Sequence, residues 1–126
     1  MIGLNDELKL RQEQGNPVRI GLIGAGQMGT DIVAETSMMK GLEISVIADV
    51  NLERAKDAYK IARINEEVVV AETAADADQA ILAGKRVAVG DFRILTDIKH
   101  IDVIIEATGV PEIGTRAALR SVRNGH

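Results

Sequence analysis

Val18-Arg19-Ile20-Gly21-Leu22-Ile23-Gly24-Ala25-Gly26-Gln27-Met28-Gly29 opens the stretch that decides the fold, and Ile44-Ser45-Val46-Ile47-Ala48-Asp49 closes it. The first six residues read as a strand with Val18, Ile20 and Leu22 on one face and Gly21 and Ile23 on the other. Apolar or small residues on both faces suit a strand held between two helix layers. Gly24 to Gly29 is a G-x-G-x-x-G turn that opens a helix running towards Lys40. The second apolar run ends in Asp49, about 20 residues beyond the turn, where a dinucleotide-binding unit needs a carboxylate for a ribose hydroxyl.

Each glycine of such a turn has a distinct task. Gly24 allows the tight turn off the strand, Gly26 lets the backbone approach a pyrophosphate, and Gly29 lets the helix pack close to the sheet. The first-turn N–H groups of the helix are free donors at the positive end of its dipole, and a diphosphate carries the matching charge. A glycine turn alone is a weak signal, since any α/β domain contains such turns. The preceding strand, the following helix and the acid at the right distance give it its weight.

Outside this stretch, strands and helices alternate. Residues 4–14 read as a short helix with Leu4, Leu8 and the stem of Arg11 on one face, stopped by Gly15-Asn16-Pro17. The helix after the glycine turn has an apolar stripe of Met28, Ile32, Val33 and Met39, and Gly41 stands where a C-terminal glycine cap belongs. Asn51 reads as the N-cap of a helix over 52–62 that turns Leu52, Ala55, Ala58, Tyr59 and Ala62 inward. A strand over 67–71 precedes a helix that Thr73 and Asp76 start and Gly84 ends. Val87-Ala88-Val89 is a short strand, 91–99 is either a helical turn or a loop, and 101–107 is a strong strand. Pro111 suits the first position of a last helix to about Arg123. The pattern predicts an α/β protein, a Rossmann-type doubly wound parallel sheet. A complete dinucleotide fold has about six strands, and Asn124-Gly125-His126 resembles a helix cap leading into a further one. The expected division is an N-terminal helical extension, 1–16, and a nucleotide-binding domain, 17–126, incomplete at its C-terminus and lacking a catalytic domain.

Composition narrows the function. With 126 residues the chain is long enough to bury a core without staples, and at 46% apolar but 2% aromatic that core must be aliphatic. Zero cysteines exclude a disulfide framework, a thiolate metal site and a cysteine nucleophile. The N-terminus lacks the apolar region of a signal peptide and no run approaches the roughly 18 residues of a membrane span, so the expected location is the cytoplasm. A net charge of −4 and a nearly complete lack of aromatic rings argue against nucleic acid as partner. His100 and His126 have no carboxylate or serine at a telling spacing, and His100 reads as a surface loop residue.

The cofactor expected at Gly24, Gly26, Gln27, Met28, Gly29 and Asp49 is NAD or NADP. FAD and the nucleoside of S-adenosylmethionine use similar turns, but FAD proteins with this fingerprint have much more chain. Asp49 favours an unphosphorylated ribose, because a 2′-phosphate would meet its charge; Asn51 and Arg54 follow it, and Arg54 is either a 2′-phosphate ligand or an ordinary exposed helix arginine. A second patch, Glu106-Ala107-Thr108-Gly109-Val110-Pro111, lies at the carboxyl end of a predicted strand, where ligands bind in open α/β sheets, so Thr108 and Gly109 are placed beside the nicotinamide ribose.

The segments 18–29, Ala48-Asp49-Val50-Asn51-Leu52-Glu53-Arg54-Ala55 and Val103-Ile104-Ile105-Glu106-Ala107-Thr108-Gly109-Val110-Pro111-Glu112-Ile113-Gly114 together resemble the NAD(P)-binding domain of homoserine dehydrogenase-like oxidoreductases. Gly3-Leu4-Asn5 and the Pro17-Val18-Arg19 approach to the first strand are similar to a branch of 1-deoxy-D-xylulose 5-phosphate reductoisomerase-like proteins, which often carry a C-terminal SAF domain. The resemblance implies cofactor contacts at Gly24, Gly26, Gln27, Met28, Gly29, Asp49, Thr108 and Gly109, and a separate catalytic domain that holds a small-molecule substrate and the acid–base groups. It implies no catalytic residue within these 126 positions.

Two functions from different classes follow. One is the cofactor-binding portion of an NAD(P)-dependent oxidoreductase, transferring hydride between nicotinamide and a small carbonyl or alcohol. The other is a stand-alone NAD(H)-sensing module that regulates a partner without turnover. A truncated sheet would also expose an edge, through which a homo-oligomer is expected to form.

Overall fold

The computed structural model describes residues 3–109. In chain order the elements are α1 (Leu4–Glu13), β1 (Val18–Ile23), α2 (Gln27–Ser37), β2 (Leu42–Ala48), α3 (Leu52–Ile61), β3 (Val68–Val70), α4 (Ala74–Leu82), β4 (Arg86–Val89), α5 (Phe92–Thr96) and β5 (Val103–Glu106). The five strands form one parallel sheet in the order β3-β4-β2-β1-β5. The architecture is the expected Rossmann-like α/β fold. The helix expected from Pro111 to Arg123, Val110 and Pro111 of the second patch, Glu112-Ile113-Gly114 of the family-like segment and Asn124-Gly125-His126 lie outside the described residues.

Two aliphatic cores flank the sheet. Ile20, Leu22, Ile44 and Ile47 pack with Val33 of α2 and Ala55, Ala58 and Tyr59 of α3. Ile23, Val46, Ala48, Val87 and Val89 pack on the other face with Ala77, Ala80 and Ile81 of α4 and Leu95 of α5. The sequence order within β2 departs from simple alternation, and the register explains why. Ile20 pairs with Ile44 but Gly21 pairs with Val46, so Ser45 is an inserted residue. This bulge shifts the phase of β2, as an extra residue must. Ile47 and Ala48 then face opposite cores and Asp49 emerges at the carboxyl end. Ser45 is fully buried, and its hydroxyl is satisfied by donating to Glu43 Oε2 at 2.8 Å.

Several expectations are corrected. The inward stripe of α2 is Gly29, Val33 and Thr36, whereas Met28 and Met39 are half exposed. Val33 and, partly buried, Ile32 pack on the core as expected; Gly29, without a Cβ, presses against the end of β1 in place of Met28, and Met39 lies beyond the helix. Gly41 is not the cap of α2, which ends at Ser37 with Met38 as C-cap. Its positive φ of 79° serves α1 instead: a Cβ at Gly41 would stand 2.2 Å from the Leu8 carbonyl oxygen. The Gly41 N–H donates to Gln12 Oε1 at 2.9 Å and Leu8 is buried, so α1 docks on its own domain. Residues 91–99 resolve into α5, with Asp91 as its N-cap. Asn51 and Thr73 cap α3 and α4 as expected, and α4 closes through Gly84 with Lys85 N–H on the Ala80 carbonyl, a Schellman ending.

The amino ends of the strands carry a partly buried polar cluster. Arg86 Nη1 donates to the Ile44 carbonyl at 2.8 Å, and Nη2 lies 3.5 Å from both Glu43 and Glu66. Tyr59 donates to the Val87 carbonyl at 2.9 Å; burial pushes its phenol well above the ordinary value, with the Arg86 charge opposing.

His100 is also corrected: it has a carboxylate partner, 22 residues away in sequence. Asp78 on α4 accepts from the backbone N–H groups of Lys99 (3.1 Å) and His100 (3.0 Å), and its Oδ1 is 2.8 Å from His100 Nδ1. These bonds pin the approach to β5. Burial raises the Asp78 pKa, but the bonds from the His100 ring and the two N–H groups outweigh it and hold the carboxyl below its usual 3.8. A depressed carboxylate stabilises the fold above the unfolded value and loses that contribution as pH falls through the folded one. Asp78→Ala is therefore expected to cost on the order of 1–3 kcal/mol at pH 7. Urea unfolding should show the gap to wild type narrowing below about pH 4; a pH-independent gap would contradict this account.

Candidate functional site

The carboxyl ends of β1, β2, β4 and β5 surround a cleft of about 710 Å³. Its floor is built by latches that continue the sheet: Gly24 N–H to Ala48 O (2.7 Å), Asp49 N–H to Val89 O (3.0 Å) and Ala107 N–H to Ile23 O (2.8 Å). Ile23, Ala48, Val50, Phe92 and Ala107 supply apolar wall; Asp49, Arg54, Asp91, Arg93 and Thr108 supply polar groups. The cleft thus lies where parallel α/β sheets bind ligands, beyond the strand ends and beside the β1–β5 boundary, where the connections change faces.

The three turn glycines are not equivalent. Gly24 has φ +100°, and a Cβ there would come within 3.1 Å of the Ala107 and Thr108 backbone. A Cβ at Gly29 would stand 1.9 Å from the Gly24 carbonyl oxygen. Both are demanded by the protein's own packing. Gly26 has φ −74°, open to any residue, and within 4 Å its Cβ would meet only the Arg54 guanidinium, at 3.1 Å. The protein's internal packing therefore does not require glycine at 26. Gly26 is the N-cap of α2, and no side chain caps the first-turn N–H groups. Donors of this kind, at the positive end of a helix dipole beside an open cleft, suit an anion.

Asp49 ties the site together. Its Oδ2 accepts from the Ala25 N–H at 2.8 Å, and its Oδ1 accepts from the Asn51 N–H at 2.8 Å. One carboxylate thus joins the glycine turn after β1 to the start of α3. Each oxygen retains a lone pair for a further donor such as a hydroxyl.

Of the residues expected from sequence, Gly24, Gly26, Asp49, Arg54 and Thr108 line the cleft. The others do different work in this structure. Gln27 donates its side-chain amide to Asp31 (3.1 Å), Met28 is half exposed, and Gly29 is packed beneath the turn. The Asn51 side chain is occupied by the N–H groups of Glu53 and Arg54. Gly109 is exposed with φ +72°. Thr108 is held by Glu106, which accepts from its N–H at 2.6 Å and from its hydroxyl. The segment Gly90–Arg93 was not anticipated. Asp91 accepts from Arg93 Nε (3.0 Å) and Nη2 (2.6 Å), placing a carboxylate–guanidinium pair on the rim. The available signal was Gly90-Asp91 directly after a strand, the same position that singled out Asp49. Among the described residues no group of three His, Cys, Asp or Glu side chains is arranged for a metal, and no helix is long and apolar enough to cross a membrane.

Residues 19–108, well over half of the chain, match the family described as NADP oxidoreductase, coenzyme F420-dependent. No curated protein matches the chain. Among solved structures, it is similar to an NAD binding oxidoreductase from Klebsiella pneumoniae, with a TM-score of 0.58 and 20% identity. That alignment covers 86% of this chain and 25% of the other, so the chain spans about a quarter of that oxidoreductase; at this identity the likeness concerns the fold.

The unequal glycines make a direct prediction for stability. Gly29→Ala drives a Cβ into backbone and should cost at least 1–3 kcal/mol. Gly26→Ala should leave stability unchanged or raise it by up to about 1 kcal/mol, because alanine tolerates the native φ and restricts the unfolded chain. Chemical denaturation of the two variants checks the order, and a Gly26→Ala variant as damaged as Gly29→Ala would overturn it.

Proposed function

The chain belongs to the family of coenzyme F420-dependent NADP oxidoreductases, and from that premise we propose that its cleft holds the adenosine diphosphate half of NAD(H) or NADP(H) within a larger oxidoreductase. The observation that carries this reading is Gly26, a glycine that neither backbone conformation nor internal packing requires. Its missing side chain leaves the uncapped start of α2 open to a diphosphate. Asp49, fixed by the Ala25 and Asn51 amides, then accepts from ribose hydroxyls. Val50 and Phe92 offer apolar surface at the strand ends farther from β5, suited to the adenine. Thr108, at the end of β5, lies on the opposite side, towards the nicotinamide.

When bound, the nicotinamide supplies a hydride donor or acceptor at C4. The residues of this chain bind and orient it; the second substrate, either coenzyme F420 as the family name suggests or a small carbonyl compound, is expected to meet it from protein outside the described residues. A homoserine dehydrogenase-like identity, and within it the reductoisomerase-like branch with a SAF domain, is the finer proposal. It rests on segments 18–29, 48–55 and 103–114, and for the branch on Gly3-Leu4-Asn5, the charged helix that follows and Pro17-Val18-Arg19, and it predicts a second, catalytic domain in the full reading frame.

Calorimetric titration with NAD⁺, NADH, NADP⁺ and NADPH tests the cofactor reading. At least one pair should bind, Gly26→Ala should weaken it by tenfold or more while remaining folded, and Asp49→Ala should weaken it by a similar factor, roughly the 1.4 kcal/mol of one lost charge-assisted bond. Absence of binding to all four by folded wild-type protein would refute the proposal.

A further inference from the structure

Arg54 is out of place as a structural residue. It stands in the first turn of α3, the positive end of the helix dipole, where a cation is disfavoured. No carboxylate among the described residues pairs with it; the neighbouring Glu53 is engaged instead by Lys56 at 3.5 Å. Its guanidinium lines the cleft beside the glycine turn, with Nη2 3.1 Å from where a Gly26 Cβ would be. Burial does not hold it there, since the residue is exposed.

We propose that Arg54 is a diphosphate clamp: it closes over the dinucleotide's diphosphate from the α3 side while the α2 amides hold it from below, and it does not read a 2′-phosphate. This deepens the cofactor reading and rests on it. In the cofactor reading the diphosphate passes Gly26, beside the guanidinium, whereas a 2′-phosphate would project from the ribose at Asp49. A guanidinium presents paired donors that match two phosphate oxygens. Its charge offsets a diphosphate that the α2 dipole alone would only partly neutralise. Because the side chain is long and unpaired, it can swing aside to admit ligand and return. Discrimination at the 2′ position is left to Asp49.

The test is calorimetry on the whole chain with NAD⁺, NADP⁺, ADP-ribose and 2′,5′-ADP, the last having a 2′-phosphate but no diphosphate. Arg54→Ala should lower affinity for NAD⁺, NADP⁺ and ADP-ribose by a common factor of about ten, with 2′,5′-ADP changed less than about threefold. Arg54→Lys, which keeps the charge but not the paired donors, should recover part of the loss. The inference is overturned if the loss is confined to NADP⁺ and 2′,5′-ADP, or if NAD⁺ and ADP-ribose bind the Arg54→Ala variant unchanged. If wild-type protein, folded by circular dichroism, binds none of the ligands, the cofactor reading falls and this inference with it. Binding by wild type without an Arg54 effect removes this inference alone.

Discussion

The approach of α2 to the end of β1 governs the geometry of the whole upper side of the sheet. Gly29 lies so close to the Gly24 carbonyl that a single methyl group would overlap it. That contact sets the rotation of α2, and so decides that Val33 and Thr36 face the sheet while Met28 and Met39 face out. It also holds the start of α2 beside the strand end, bringing the Ala25 N–H within reach of Asp49. An alanine at 29 would lift the helix, and everything keyed to its position would move with it. Close packing transmits such strain because interiors have little free volume to absorb it.

The two ends of the sheet solve opposite problems. At the amino ends, polar groups are spent on each other: Arg86 on the Ile44 carbonyl and two glutamates, Tyr59 on the Val87 carbonyl, Ser45 on Glu43. Buried polar groups carry a penalty of about 1–3 kcal/mol each if unmatched, and these contacts offset most of it, although the buried Nε of Arg19 and of Arg86 has no partner among the described residues. At the carboxyl ends, uncapped α2 amides, the spare lone pairs of Asp49 and the Arg54 guanidinium face a cleft. By contrast, the donors and acceptors at this end converge on one cleft instead of on each other, which suits a ligand that enters from outside.

The sequence made the strand–turn–helix unit, the N-caps at Asn51 and Thr73 and the five strands legible, because each follows from local rules: periodicity, capping chemistry, glycine punctuation. What it hid depends on contacts between distant segments. The rotation of α2 follows from Gly29 meeting Gly24, which a helical stripe of methionines does not reveal. Gly41 looks like a helix cap in one dimension and proves to be where α1 docks. The bulge at Ser45 is visible only through the pairing of β2 with β1. His100 looked solitary because Asp78 belongs to a different element. In the candidate site the residues on the glycine turn and at the end of β2 were legible from their spacing. Gly90–Arg93 were not, because their place in the cleft follows from β4 lying beside β2, an order that leaves no trace in the chain's own sequence.

Asp49 and Arg54 are held in the site in different ways. Asp49 projects from a central strand and is fixed by two amides from different elements, so it needs little reorganisation to accept a hydroxyl. Preorganised groups bind with a smaller ordering cost. Arg54 stands on α3 with one end anchored by the Asn51 cap and the other resting on Gly26 without a partner of opposite charge. In the proposed clamp a rigid guanidinium could not close over a diphosphate after its entry. Were both mobile, each would pay for ordering on binding. In the proposed clamp the fixed acid and the unpaired cation divide these tasks, the acid holding its place while the long side chain adjusts to the ligand.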